Sequence, residues 1–295
     1  MYEDKERVMM QYMETHFVMQ DNKERKKINE FLKENHEREL NNKSIVYSCS
    51  LDNKIIGVSV LDLNPLHPHA YHLRVFVDPK FRQQGIGTKM VAALKEKYNK
   101  PYRVGVDSED KGAINFIKSL NFKRVIKCYL PEYQKGNLRT QIYKSRNEIQ
   151  SVHDLNVEEL DRLKWLLHDN YSRNHTYNPL GETIDYLTFA QAAMSEHESK
   201  KSFVIKSHSK IIGYLISFPD TEKTLEIGYI GKDQEFKESL DGDFYTIIHD
   251  LFFDYDILSF EVDDVNEQGM KVLNLFDQLP TTSWDIYFDK IYEQI

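Results

Sequence analysis

Residues 82–88, Arg-Gln-Gln-Gly-Ile-Gly-Thr, set two glycines one residue apart behind an arginine, where the apolar run "YHLRVFVDPKF" gives way to the helical pattern "MVAALKEKY". Glycine takes positive φ without steric cost and lets backbone come close to a ligand. The start of a helix turns N–H groups without intrahelical acceptors, and a partial positive charge, toward whatever lies in front. Together these make an anion cradle suited to a pyrophosphate, to which Lys80, Arg82 and Lys89 add side-chain charge. The spacing is neither G-x-x-x-x-G-K-[ST] nor G-x-G-x-x-G, so two other phosphate loops are set aside. Taken alone, a G-x-G at such a point also fits a plain strand-to-helix turn.

The surrounding pattern supplies the elements that would position this cradle. The first forty residues read as helices: "MYEDKERVMMQYME" interleaves charge with Met and Tyr, and "DNKERKKINEFLKENHEREL" sets Ile28, Phe31 and Leu32 at helical spacing. The period then changes to two. "SIVYSCS" and "KIIGVSVLDL" flank a turn at "LDNK", a hairpin signal, and "AYHLRVFV" is a third run ended by Asp78-Pro79. A helix is predicted over residues 85–98, a strand buried on both faces over "YRVGVD", a helix over "DKGAINFIKSL", and a closing pair, "FKRVIKCYL" and "LRTQIYKS", around "QKGN". Helices alternating with strands point to an α/β fold with a mixed sheet.

The order then recurs. "KIIG" lies at Lys54 and again at Lys210, and "VDSEDKGAINFIKSL" from Val106 is echoed by "VDDVNEQGMKVLNLF" from Val262, both at an offset of 156 residues. Two matches at one offset argue for a duplicated domain. The expected division is residues 1–146 and 147–295, with the linker between Tyr143 and Val152. The halves differ in charge: 27 Lys+Arg against 18 Asp+Glu, net +9, in the first, and 12 against 29, net −17, in the second. Opposite signs point to different electrostatic duties or to mutual docking.

Composition excludes several classes. No run approaches the roughly 20 apolar residues of a membrane helix, and the first residues lack the basic-then-apolar plan of a secretion signal. The expectation is a cytoplasmic protein with no membrane partner. Cys49 and Cys128 are far apart in sequence and read as buried apolar residues, not as a disulfide or zinc pair. The basic charges of the first half alternate with acids along helices and are not gathered with stacking aromatics, so no nucleic-acid partner is expected.

The stretch "VFVDPKFRQQGIG" resembles the signature [QR]-x-x-G-x-[GA], after a strand ending in V-x-P, of the GNAT superfamily of acyl-CoA-dependent N-acyltransferases. "AINFIKSLNF" is similar to that family's later A-x-x-L-Y-x-K-x-G-F segment. The resemblance covers nearly all of residues 44–145 and extends weakly, through the repeat, to the second half. It implies two tandem GNAT-like domains. In the first, the backbone of Val75, Phe76 and Val77 would hold the pantetheine arm of acetyl-CoA, and the loop Arg82, Gln83, Gln84, Gly85, Ile86, Gly87 and Thr88 would hold its pyrophosphate. The reaction implied is acetyl transfer to a primary amine of a small molecule or peptide, cationic when it arrives, with acetyl-CoA as co-substrate and no metal.

Two positions of the family pattern are altered. The tyrosine that commonly protonates the leaving thiolate falls at Ile117, and the position often filled by a glutamate base is Tyr71, beside His72. Tyr71 and His72 are therefore the catalytic candidates, since histidine titrates near neutrality. His67 and His69, on either side of Pro68, read most simply as solvated turn residues. The missing tyrosine and glutamate also motivate a rival, a non-catalytic acyl-CoA-binding or regulatory module. In the second half the glycine loop is replaced by "ESLDGDFYT", whose Asp241 and Asp243 would repel a pyrophosphate. This half is expected to be a degenerate copy, either structural or a wall of an acceptor site. The stretch "HDNYSRNHTYNPLG", 168–181, reads as a loop between two helices and receives no site.

Overall fold

The computed structural model describes residues 13–18, 22–140, 144–278 and 280–291. The chain forms two compact units interleaved in sequence: residues 1–104, 116–123 and 288–295 make the first, and residues 105–115 and 124–287 the second.

The first unit holds β1 (Met13–Val18), α1 (Asn22–Glu34), β2 (Ile45–Leu51), β3 (Lys54–Leu63), β4 (Tyr71–Val77), α2 (Ile86–Lys97), the first half of β5 (Tyr102–Asp107) and the end of α3 (Lys111–Ser119). Its strands lie in the order β1-β2-β3-β4-β5, antiparallel through β4 and parallel between β4 and β5. The β2–β3 hairpin turns at Asp52 and Asn53, both at positive φ, as a two-residue hairpin turn requires. The helical stripe of α1, Ile28, Phe31 and Leu32, packs with Val46, Val58 and Val60, and Ile86 and Met90 of α2 pack with Cys49 and Ile56. Both cysteines are buried, as expected.

Two local expectations change here. Residues 13–18 form a strand and not part of a helix: pairing with β2 covers the hairpin's open edge and sets Phe17 edge-on to Tyr47 at 4.7 Å between ring centres. The rest of the helix expected from the first residues lies outside the described residues. β5 buries Tyr102, Val104 and Val106 while Arg103 and Gly105 are half-buried and Asp107 is exposed, so its two faces are unequal.

The second unit holds β6 (Lys123–Tyr129), β7 (Glu132–Gln134), β8 (Glu148–Ser151), α4 (Val157–Asn174), α5 (Tyr186–Ala193), β9 (Phe203–Ser207), β10 (Lys210–Pro219), β11 (Thr224–Lys232), α6 (Asp241–Leu251), β12 (Ile257–Phe260), β13 (Val262–Asp263), α7 (Glu267–Leu273) and β14 (Ser283–Phe288). One sheet runs β7-β12-β11-β10-β9-β8, and β14 lies between β5 and β6 with β13 beyond β6. The expected closing hairpin is therefore not made. The "QKGN" segment forms a 3-10 turn, Lys135–Asn137, closed by reciprocal hydrogen bonds of Gln134 and Asn137, and leads to a bridge between Leu138 and Phe276. β7 pairs with β12 instead, while residues 141–143 lie outside the described residues. Likewise α4, begun by a capping box of Asn156 and Glu159, runs to Asn174, so residues 168–174 are helix and not loop.

The repeat reaches the backbone. His208 and Ser209 turn the β9–β10 hairpin at φ 50° and 63°, the values of Asp52 and Asn53, 156 positions earlier. α7 starts at Glu267, 156 positions after Lys111 starts α3. Among the described residues no helix is long and apolar enough to cross a membrane.

Candidate active site

β4 is the strand that delivers the chain to the glycine loop. It pairs with β3 along its whole length, Val75 opposite Ser59 and Val77 opposite Gly57, but with β5 only at Tyr71–Tyr102 and His72–Arg103. From Leu73 onward its β5 side carries no ladder among the described residues. That leaves the outward backbone groups of this stretch, which includes Val75, Phe76 and Val77, as hydrogen-bonding positions for an extended ligand. One is already used: Arg82 Nε donates to the Val77 carbonyl at 2.9 Å while its guanidinium lies 5.5 Å from the Phe76 ring centre.

The loop after β4 is built tightly. The Asp78 carboxylate accepts from the Lys80 N–H and starts a 3-10 turn over Pro79–Phe81. Gly85 caps α2 in the left-handed region, at φ 75° and ψ 0°, and a Cβ there would meet nothing within 4 Å. Gln83 is also left-handed, at φ 61°, a strain no pattern in the sequence announces. A Cβ on Gly87 would lie 2.9 Å from Phe116 Cζ, so this glycine is required by the packing of α2 on α3. Because α2 begins at Ile86, the N–H groups of Ile86, Gly87 and Thr88 have no intrahelical acceptor. The first turn contains no acidic residue, and Gln84 Oε1 is enclosed without a partner, an acceptor that a bound amide or hydroxyl would satisfy. Open space before a left-handed glycine, free amides and basic side chains fit the pyrophosphate end of an acyl-CoA.

Tyr71 and His72, adjacent on β4, point to opposite faces. Tyr71 is buried edge-on to Tyr98 and Tyr102, each 6.0 Å away, and burial, with Tyr98, raises its phenol pKa. His72 is lowered to about 4, first by burial and then by Arg103, with Asp62 opposing and Arg74 and Arg38 adding to the shift. It is a neutral imidazole across the neutral range. His67 is 5% exposed, which corrects the reading of a solvated turn residue, while His69 is half-buried. Ile117 is buried in the apolar interior and offers no proton. Among the described residues no group of three or more His, Cys, Asp or Glu is placed to hold a metal.

In the second half, the counterpart of the glycine loop is filled by the chain itself. A Cβ on Gly242 would sit 2.4 Å from the Lys144 carbonyl oxygen. The Asp243 carboxylate, 2% exposed, accepts from Ser145 Oγ, the Arg146 and Asn147 N–H groups, and Asn147 Nδ2, at 2.8–3.1 Å. Segment 144–147 therefore lies where an anion would approach α6. The sequence places the carboxylates; that one of them is a buried anchor for the preceding segment was not legible, because its partners lie nearly a hundred residues earlier and half of them are backbone amides.

Sequence reasoning also passes over a cavity of about 480 Å³ within the second unit, on which Asn170, Tyr171, Asn174 and His175 open from the end of α4. These residues belong to the stretch read as a loop. Helical spacing of Leu163, Leu167, Asn170 and Asn174 was the available signal.

Residues 8–122 match the Acetyltransferase (GNAT) family. An uncharacterized N-acetyltransferase of Methanocaldococcus jannaschii is 34% identical over 95 residues, 28% of this chain and 42% of that protein, so the match spans less than half of the relative's length. A GCN5-related N-acetyltransferase from Sphaerobacter thermophilus has a similar fold, with a TM-score of 0.63 at 10% identity over 96% of this chain and 97% of that one. A tandem GNAT protein from the clavulanic acid biosynthesis pathway has a TM-score of 0.54 at 10% identity, covering 95% of this chain and 100% of its own. The fold class is thus that of tandem acyl-CoA N-acyltransferases. Residues 8–122 are similar to the acetyltransferase (GNAT) family, whose members generally use acetyl-CoA, and the whole chain shares the fold of tandem GNAT proteins.

Proposed function

We propose that the protein is an N-acetyltransferase that moves an acetyl group from acetyl-CoA to a primary amine of a small-molecule or peptide acceptor, by direct attack in a ternary complex. Residues 1–146 would be the acetyl-CoA-binding catalytic domain and residues 147–295 a degenerate GNAT-like domain. The carrying observation is the sequence of elements β4, left-handed Gly85 and α2. The open side of β4 offers backbone groups at Val75 and Val77, with Phe76 between them bonded to Val58 of β3, and the loop from Arg82 to Thr88 ends in unpaired amides with an acid-free first turn.

In this reaction the amine nitrogen bonds to the acetyl carbon, the carbon–sulfur bond breaks, the amine loses a proton and the thiolate gains one. His72, with a pKa of about 4, is a poor recipient for the proton of an alkylammonium near 10; a gap of about 6 units costs roughly 8 kcal/mol. The amine therefore reacts from its neutral form, its proton lost to water. Tyr71, held protonated, and neutral His72 are proposed to border the acyl-transfer point from opposite faces of β4. The absence of a basic group at Tyr71 and of a hydroxyl at Ile117 favours one rival, an acyl-CoA-binding module without turnover. Release of free thiol from acetyl-CoA over a panel of amines decides between them: amine-dependent release supports transfer, and binding with no release to any amine supports the module.

A further inference from the structure

β3, β4 and β5 set three polar residues in a row across the first unit's sheet. Asp62 of β3 lies opposite His72 of β4, and His72 lies opposite Arg103 of β5, so the three side chains share one face. Arg74, two residues along β4, is on the same face. Its Nη1 donates to the Arg38 carbonyl and its Nη2 to Asp62 Oδ2 at 3.2 Å, which brings the segment after α1 over this row. All of these residues belong to the first unit.

The row is unbalanced in charge. Among the described residues Asp62 is the one carboxylate acting on His72, and it is already committed. Its Oδ1 accepts from Ser44 Oγ and, at 2.8 Å, from Asn41 Nδ2, while Oδ2 takes Arg74. Against it stand three guanidiniums, those of Arg38, Arg74 and Arg103. Among the described residues the Arg38 and Arg103 guanidiniums make no hydrogen bond or ion pair, and Arg74 Nε is enclosed without a partner. Burial holds His72 below its ordinary value, and Arg103, Arg74 and Arg38 add to this with only Asp62 opposing, so the imidazole brings no further charge of its own near neutral pH. Gathered cations with spare N–H donors gain from an oxyanion, whose oxygens match the guanidinium fork.

Acetyl-CoA does not supply that anion. Its pyrophosphate falls to the loop that begins at Arg82, beyond Val77, and Val77 lies about 16 Å along the strand from His72. The thioester end is uncharged. The other reactant remains as the source. We propose that Arg38, Arg74 and Arg103 form an oxyanion site, and that the acceptor is an amine carrying a carboxylate or a phosphate, which this site holds while the amine meets the thioester. The site follows from the row itself; that its occupant is the acceptor rests on the acetyl-transfer reading.

Calorimetric titration of the full chain, with CoA in excess to fill the glycine loop, tests the site with glutarate and inorganic phosphate as probes. The tighter of the two tells a carboxylate from a phosphate. At least one is expected to bind at millimolar concentration or below. Arg103→Gln and Arg38→Gln remove guanidiniums without partners and so spare the fold; they should weaken that binding at least tenfold and at least threefold. Thiol release from acetyl-CoA is then compared for γ-aminobutyrate against aminobutanol, and for aminoethyl phosphate against aminoethanol. In one pair the acidic amine should have a kcat/KM at least tenfold above its neutral partner, and under threefold above it in Arg103→Gln. No binding of either anion, or binding unchanged in both folded variants, would overturn the site. Transfer to the neutral amines as fast as to the acidic ones would overturn the acidic acceptor. Anion binding lost in Arg103→Gln with no thiol release from any amine would uphold the site and count against acetyl transfer alone.

Discussion

Asp243 holds Asn147 twice: Oδ1 accepts the Asn147 N–H at 3.1 Å, and Oδ2 accepts its side-chain amide at 2.8 Å. With the Arg146 N–H and Ser145 Oγ also on Oδ1, one buried carboxylate anchors the segment that leads into β8. Asp243→Ala leaves these donors enclosed without an acceptor. Hydrogen bonds to a charged group contribute about 1.5–3 kcal/mol each, so the variant should lose at least about 3 kcal/mol in denaturant unfolding. Asp241→Ala, which removes only a first-turn charge, should lose under about 1 kcal/mol. Equal losses would remove the anchoring role.

Gly87 and Phe116 make a second test. Gly87→Ala should lower stability, because its Cβ would meet the Phe116 ring, and Phe116→Leu in the same chain should recover part of the loss. A double-mutant cycle on thermal unfolding reads the coupling directly, and strict additivity would contradict the packing role.

His72 gives a pH signature. Its pKa of about 4 in the folded chain lies below the ordinary histidine value of 6.5. A depressed folded-state value means the unfolded chain binds more protons between those limits, so stability falls as pH drops from 6.5 toward 4. The full span corresponds to at most about 3 kcal/mol. His72→Gln should lose less stability than wild type between pH 7 and pH 4.5 in urea unfolding. Parallel losses in the two proteins would show that His72 does not carry the effect.

The transfer rate should follow the acceptor amine. If the amine reacts only after losing its proton to water, kcat/KM rises with pH toward the amine's own pKa, with no inflection near 6.5, and His72→Gln keeps the slope. An inflection near 6.5 that the variant abolishes would make His72 a base after all.

The glycine turn before α2 and the repeat were legible because each depends on local residue types. Glycine spacing reports the left-handed cap at Gly85, and the "KIIG" echo reports a hairpin whose turn angles recur 156 residues on. What the sequence hid depends on distant partners. β14, from the end of the chain, lies beside β6 where a hairpin return was expected, and strand partners are chosen by burial across the whole chain, not by the nearest turn. The cavity beside Tyr229 was hidden for the same reason, since its walls come from segments about ninety residues apart that only the β11 bulge brings together.

The thiols bear on how transfer is assayed. Cys49 and Cys128 are 1% and 7% exposed, and burial raises the Cys49 pKa, so neither should react with Ellman's reagent in the folded protein. Two equivalents should appear only on denaturation; prompt labelling of the native chain would contradict the buried placement.

The most direct measurement is calorimetric titration of acetyl-CoA into wild type, Gly85→Asn and Gly85→Asp. Asparagine and aspartate both tolerate the left-handed region and both enter open space, so the two variants differ chiefly in charge. An acyl-CoA cradle predicts binding to wild type, retention within a few-fold in Gly85→Asn, and at least tenfold loss in Gly85→Asp. No binding to wild type, or equal affinity in the two variants, would contradict it.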